Sequence, residues 1–356
     1  MAKSSTLPSV VGHLLAGVCV LAVASCSGGE SASPRRGLAS GDEPPANPPG
    51  NVPGNPPVDP PVNPPVNLPG NPPANPPAEP PGGSGTVRPV SETDPVIVGA
   101  GDIALCNSPS TAKTADLLGR FEGTIFLAGD NAYYVGSSDE YRSCFEPTWG
   151  RYKARMKPVP GNHEYITRGA KGYFDYFGKL AGDPTKGYYS YEVGAWHIVA
   201  INSNCGSIGG CGATSPQGVW LAADLAAHST KCTMAYWHHP RFSSGAHGND
   251  RAMQSIFHEL YKAGADVVVT GHDHDYERFA PLRADGTLDL ERGVRQFVVG
   301  TGGADFRAVD KPIANSEALN ADTHGIIKFT LHAESYDWEF VPSEGAFRDS
   351  GSTNCH

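Results

Sequence analysis

Five short apolar runs in this chain each end on polar residues able to hold a metal, and that recurrence constrains the fold more than any other feature. Val96-Ile97-Val98 runs into Gly101-Asp102, and Thr124 to Ala128 into Gly129-Asp130-Asn131. Lys157 to Pro160 runs into Gly161-Asn162-His163-Glu164, Thr233 to Trp237 into His238-His239-Pro240, and Ala265 to Thr270 into Gly271-His272-Asp273-His274. Runs of this length and composition read as strands. Helical spacing falls between them, over Thr111 to Phe121, Pro216 to His228 and Asp250 to Ala263. In the second of these, Val219, Leu221-Ala222 and Leu225-Ala226 predict the apolar face. Further strands are predicted at Tyr188 to Val193, Trp196 to Ile201, Val294 to Val299, Ile326 to Leu331 and Tyr336 to Val341. The alternation predicts an α/β layered domain, which pattern alone draws as a single sheet. Polar ligands gather at the carboxyl ends of strands in such sheets, so these five ends locate a site.

The candidate metal ligands at those ends are Asp102, Asp130, Asn162, His238, His272 and His274, with Tyr133 three residues after Asp130. Carboxylates, imidazoles and a carboxamide suit borderline transition metals, and suit neither a thiolate site nor a calcium loop. Six or seven ligands are too many for one catalytic ion with open positions. They fit two ions sharing a bridging carboxylate, the usual device for hydrolysing phosphate esters.

The ordered series Gly101-Asp102, Gly129-Asp130-Asn131-Ala132-Tyr133, Gly161-Asn162-His163-Glu164, His238-His239-Pro240 and Gly271-His272-Asp273-His274 resembles the calcineurin-like metallophosphoesterases. Tyr133 and the run His274-Asp275-Tyr276-Glu277-Arg278 look most like the purple acid phosphatase branch. The resemblance implies a sandwich of two β-sheets flanked by α-helices. It implies a first metal held by Asp102, Tyr133 and His274, a second held by Asn162, His238 and His272, and Asp130 bridging them. If Tyr133 ligates as a phenolate, a trivalent first ion leaves the better charge for an anionic ester. That favours Fe(III) with a divalent partner (Fe, Zn or Mn); without the phenolate, two divalent ions serve as well. The implied reaction is attack of a metal-bridging hydroxide on a phosphate monoester. A phosphodiesterase or nucleotide hydrolase on the same centre is the alternative, decided by pocket shape, and a non-catalytic surface binding module is a further one. The loops Ser137 to Tyr141, Asn204 to Thr214 and Ser243 to Asp250 are expected to line that pocket.

The resemblance makes His163 a candidate catalytic residue that stabilises phosphoryl oxygens or protonates the leaving group. His247 and His239 are further candidates, although the loop carries one histidine where the family has a clear pair. Glu164 and Asp273 are expected to orient their neighbours, and Tyr276, Glu277 and Arg278 to brace the His272 loop. His197 reads as a satisfied strand histidine, and Gly300-Thr301-Gly302-Gly303 as a tight turn rather than a phosphate loop.

Of the 32 Pro in the chain, those at Pro44 to Pro81 fall in an Asn-Pro-Pro repeat almost devoid of large apolar side chains. That composition cannot pack a core and favours an extended spacer. The chain therefore divides into a signal-type segment 1–25, a Pro-rich linker 26–91 and a catalytic domain 92–356. The boundary Val23-Ala24-Ser25-Cys26 resembles a bacterial lipoprotein signal with lipidation at Cys26; an ordinary cleaved signal is the alternative. Either implies an extracytoplasmic protein, held to the membrane through the lipid anchor only or secreted. The formal net charge of −10, with no basic block, argues against nucleic acid as a charge-driven partner. Six Cys lie beyond the linker, and export favours disulfides. Cys205 and Cys211 enclose a Gly-rich loop and are expected to pair, with Cys106–Cys144 and Cys232–Cys355 as the remaining bridges. The anchor reading predicts that Cys26→Ser abolishes fatty-acid labelling and moves the chain out of the membrane fraction. A labelled or membrane-retained variant would count against it.

Overall fold

The computed structural model describes residues 94–309 and 311–356. The signal-type segment, Cys26 and the Pro-rich linker lie outside the described residues. In chain order the elements are β1 (Val96–Ala100), α1 (Pro109–Leu118), β2 (Thr124–Ala128), the single turn α2 (Ser138–Glu140), β3 (Met156–Val159), α3 (Asn162–Ile166) and α4 (Lys171–Phe177). They continue as β4 (Tyr189–Val193), β5 (Trp196–Ala200), α5 (Pro216–Ala227), β6 (Cys232–Tyr236), α6 (Gln254–Ala263), β7 (Val267–Thr270) and β8 (Tyr276–Phe279). The last are β9 (Arg295–Val299), β10 (Ser316–Asn320), β11 (Gly325–Leu331), β12 (Ser335–Pro342) and β13 (Ser350–Asn354).

These strands form two sheets, ordered β13-β12-β11-β1-β2-β3 and β10-β8-β9-β7-β6-β5-β4. The single sheet drawn from pattern alone is thus corrected, and the two-sheet sandwich implied by the family resemblance is found. Alternation of strand and helix does not say which parallel strands share a sheet, and the split needs long-range pairing. β1, β2 and β3 run parallel in one sheet, and β5, β6, β7 and β9 in the other. Their apolar runs are continuous because both faces are covered, by the opposite sheet and by helices. Aromatic side chains fill the space between the sheets. Phe126 packs on Tyr236 with ring centroids 5.4 Å apart, Phe297 on Phe329 at 5.3 Å, and Trp196 on Tyr336 at 5.6 Å. Tyr236 also donates from its hydroxyl to Lys157 O across the gap, at 2.9 Å.

All three expected disulfides are present, Cys106–Cys144, Cys205–Cys211 and Cys232–Cys355. The last joins the start of β6 to the residue after β13, a separation of 123 residues, so it staples one sheet to the other. Loop-closure entropy puts the destabilisation of the unfolded chain by such a bridge at about 5 kcal/mol.

The expected apolar face of α5 needs correction. Leu221 is buried as expected, but Val219 is 58% exposed, and the helix buries Gln217 and Gly218 beside Leu221. Gln217 takes the buried place because its amide pairs with the backbone of Asn202, accepting at 2.9 Å and donating at 3.0 Å. Strands β10 and β13 were not anticipated. Their sequences are largely polar, and both lie at sheet edges where one side needs no apolar cover. Nor was β8, whose Tyr276, Glu277 and Arg278 were read as bracing groups.

His197 on β5 is fully buried between two carboxylates, with Nδ1 2.7 Å from Glu192 and Nε2 2.9 Å from Asp224. Burial lowers its pKa, but the hydrogen bonds and charges of Asp224 and Glu192 outweigh it and raise the value above 6.5. A histidine raised on folding stabilises fully below its unfolded value and loses that contribution as pH rises through the folded one. His197→Gln should therefore show a Tm nearer to that of the wild type in alkaline than in mildly acidic buffer. A Tm deficit independent of pH would show that the pair of carboxylates leaves the imidazole neutral.

Candidate metal centre

The predicted ligands meet at the carboxyl ends of strands from both sheets. Asp102 follows β1, Asp130 follows β2 and Asn162 opens α3 just after β3. His238 follows β6, and His272 and His274 follow β7. Backbone bonds lock these turns to one another: Asp102 N donates to Gly129 O at 3.0 Å, and Gly271 N to His238 O at 3.0 Å.

The glycines in the motifs have a steric cause. A Cβ at Gly161 would lie 2.1 Å from Asp130 Oδ1, and one at Gly271 would lie 2.5 Å from Asp102 Oδ2. Asp102, Asp130 and His272 all have positive φ, at 58°, 50° and 74°. Non-glycine residues rarely adopt that region, and such conformations concentrate at functional sites. Sequence reading does not reveal the backbone state; its only trace is the glycine preceding each of the three.

Two groups of side chains share Asp130. On one side, Tyr133 Oη lies 2.7 Å from Asp102 Oδ1, 3.2 Å from Asp130 Oδ2 and 3.3 Å from His274 Nε2. On the other, His238 Nε2 lies 3.2 Å from Asp130 Oδ2, 3.1 Å from Asn162 Oδ1 and 3.2 Å from His272 Nδ1. Asp130 Oδ2 therefore touches both groups. Second nitrogens are held by backbone carbonyls: His238 Nδ1 donates to Ala128 O at 2.9 Å, and His274 Nδ1 to Asp305 O. His238 and His274 thus turn Nε2 inward, the arrangement that orients metal-ligating histidines, whereas His272 meets His238 through Nδ1.

This donor set fits metal cations. Oxygen and nitrogen acceptors crowd together with too few hydrogens to satisfy them, and converging lone pairs require positive charge. Titration points the same way. Burial disfavours a charged His238, yet Asp130 outweighs burial and pushes the imidazole up to about 9, so a proton takes the place where a cation fits. Burial, then Asp102 and Asp130, hold the Tyr133 phenol well above its ordinary value, so a phenolate there needs a cation against it. Burial and the neighbouring His238 push His272 well below its ordinary value, leaving it a neutral lone-pair donor.

The three candidate catalytic histidines surround this cluster in different ways. His163 Nε2 lies 3.7 Å from Asp130 Oδ2, and its Nδ1 donates to Tyr134 O at 2.6 Å. His239 is held by Ser203 Oγ at 2.8 Å, and its ring lies 4.5 Å from that of His272. Burial, then His238, pushes His239 down to about 3, which keeps it neutral. His247 stacks on His272, with centroids 4.1 Å apart.

The orienting groups are more extensive than the motifs suggest. Glu164 accepts from the backbone N–H groups of Asp130, Asn131, Ala132 and Gly161 and from the Tyr141 hydroxyl. Asp273 accepts from the Ser243 hydroxyl and from the N–H groups of His247 and Gly248. Tyr141 and Ser203, which lie outside the motif blocks, give no sequence signal for these contacts. Gly300 and Gly302 pack against the Asp273, Asp102 and Gly101 turns, and Gly302 N donates to Gly101 O at 3.0 Å, consistent with a structural turn. Asp130→Ala should lower bound metal from about two ions per chain, measured by elemental analysis, because the shared oxygen is removed. Unchanged metal content would refute the bridging geometry.

Residues 96–276, just over half of the chain, match the family described as Calcineurin-like phosphoesterase. Among curated relatives, Purple acid phosphatase 15 of Arabidopsis thaliana is 29% identical over 215 residues, covering 50% of this chain and 40% of the relative. Purple acid phosphatase 18 of the same plant is 34% identical over 129 residues, covering 35% of this chain and 28% of its own length. The chain thus spans well under half of those relatives. Among solved structures, purple acid phosphatase PPD1 from yellow lupin (Lupinus luteus) aligns with a TM-score of 0.62 at 18% identity, over 75% of this chain and 55% of the lupin protein. GAP50, the anchor in the inner membrane complex of Plasmodium, aligns with a TM-score of 0.58 at 14% identity, over 74% of this chain and 89% of GAP50. At these identities the structural likenesses establish the shared fold.

Proposed function

The chain belongs to the calcineurin-like phosphoesterase family, and on that premise we propose an exported hydrolase of phosphate monoesters working with two metal ions. The observation that carries this reading is Asp130 Oδ2, which lies 3.2 Å from both Tyr133 Oη and His238 Nε2 and so belongs to two ligand groups at once. Asp102, Tyr133 and His274 would hold one ion, Asn162, His238 and His272 the other, and Asp130 both. Bound there, the ions would acidify water and offset the charge of the phosphoryl oxygens. Iron(III) beside a divalent Fe, Zn or Mn ion is the pair favoured if Tyr133 ligates.

The remaining steps fall to the protein. His238, fixed through Nδ1 to Ala128 O, and His274, fixed through Nδ1 to Asp305 O, cannot rotate away from the centre. His163 is fixed in the same way through Tyr134 O. Its Nε2 is thereby turned toward Asp130 Oδ2, 3.7 Å away, where it can stabilise a phosphoryl oxygen or protonate the leaving group. His239 and His247, packed on His272, restrict its ring and line the approach to it.

Hydrolysis of an aryl phosphate by the metal-loaded domain tests the reading. His163→Ala should lower kcat by roughly 10²-fold or more while leaving metal content near that of the wild type. Loss of metal instead would make His163 a ligand. In the same preparation, a broad visible absorption band lost in Tyr133→Phe would identify iron–phenolate coordination, and a colourless active protein would remove Tyr133 from the ligand set.

A further inference from the structure

Large apolar side chains stand exposed beside the candidate metal centre, and the proposed reaction leaves these side chains unused. Among the described residues, seven large apolar side chains are exposed, and three of them cluster here: Tyr134 at 63%, Val135 at 37% and Ile166 at 59%. Single exposed apolar residues are ordinary, but a cluster at the rim of a polar site marks a binding surface. The segments that carry them are bonded edge to edge, since Thr167 donates to Val135 O from both its backbone N–H and its hydroxyl.

The exposure is built in rather than a result of loose packing. The Glu140 carboxylate accepts from the backbone N–H groups of Tyr134, Val135 and Ser137, and Ser137 and Glu140 cap α2 reciprocally. A backbone held at three donors within four residues presents the Tyr134 ring at little further entropic cost, the property that makes a rigid aromatic anchor useful in binding. Its position is also specific. The Tyr134 ring lies 6.2 Å from the Tyr133 ring, which lies 4.6 Å from the His163 ring. Tyr134 O is itself the acceptor that fixes His163. A leaving-group oxygen that faces His163 Nε2 therefore lies alongside this apolar rim.

We propose that Tyr134, with Val135 and Ile166, forms the subsite for the alcohol portion of the substrate and selects phosphate esters whose leaving group carries a flat apolar ring. The inference rests on the phosphomonoesterase reading above and adds the class of ester. Stacking on Tyr134 would hold the ring while the phosphoryl group occupies the metal centre, and a small polar alcohol would gain nothing from it.

The test compares 2-phenylethyl phosphate with ethyl phosphate, both esters of alkyl alcohols, on the metal-loaded enzyme. The wild type should favour the phenylethyl ester in kcat/KM by roughly tenfold or more. Tyr134→Ala should lose most of that preference, chiefly through KM, and Tyr134→Phe should retain it. Equal wild-type values for the two esters, or an equal loss on both in Tyr134→Ala, would overturn the subsite; the second result would make Tyr134 a positioning residue for His163. An enzyme that binds two metals yet hydrolyses neither ester would overturn the phosphomonoesterase reading itself.

Discussion

The carboxylate of Glu164 is the contact on which the rest of the site depends. It is fully buried, and it draws together the turn after β2 and the turn after β3 by accepting four backbone N–H groups. Burial, and then the charge of Asp130, push its carboxyl up to about 7 against those donors. Peptide groups that a regular strand would pair with a neighbour are instead paired with this one side chain. The backbone at Asp130 can therefore leave the sheet and turn its side chain toward His238. An unpaired buried N–H costs about 1–3 kcal/mol, so removing the acceptor would expose several such costs at once.

A second constraint acts through charge. Asp102, Asp130 and the inward nitrogens of His238, His272 and His274 lie close together in a buried space. The fold tolerates this because three of these side chains are tied on their far side to backbone: His238 to Ala128 O, His274 to Asp305 O, and Asp102 Oδ2 to the His272 N–H at 2.8 Å. Side chains so tied cannot relax outward to water, so the cluster keeps its demand for positive charge. The same rigidity extends to the rim, where Glu140 fixes the segment bearing Tyr134, and the Cys205–Cys211 bridge closes the loop that directly follows Ser203, the partner of His239. Preorganised donors of this kind are what electrostatic catalysis requires.

Much of this is legible in the sequence. The five apolar runs ended where expected, because a strand covered on both faces needs an unbroken apolar sequence. The glycine before Asp102, Asp130, Asn162 and His272 marks a close approach of chains, even though the positive φ of Asp102, Asp130 and His272 does not show. The apolar face of α5 was misjudged because Gln217 binds the backbone of Asn202, a partner 15 residues away that helical periodicity cannot see. Edge strands β10 and β13 escaped because an exposed edge asks for no apolar pattern. Tyr141 and Ser203 escaped because their roles exist only once Glu164 and His239 have been placed next to them.

Residue type and order settled the chemistry: which side chains can hold a metal, that they terminate strands, and which family carries that series. These are local properties, fixed by spacing of a few residues along one segment. Only the tertiary structure decided which parallel strands pair in which sheet, and how closely Asp130 Oδ2 approaches each group of side chains. It alone brought an exposed tyrosine to the edge of the centre. Those outcomes depend on contacts between distant segments, as between Tyr133 and His274, 141 residues apart, or Asp102 and His272, 170 apart. Long-range closure of that kind is set by the packing of the whole core and leaves no periodic signature in any single segment.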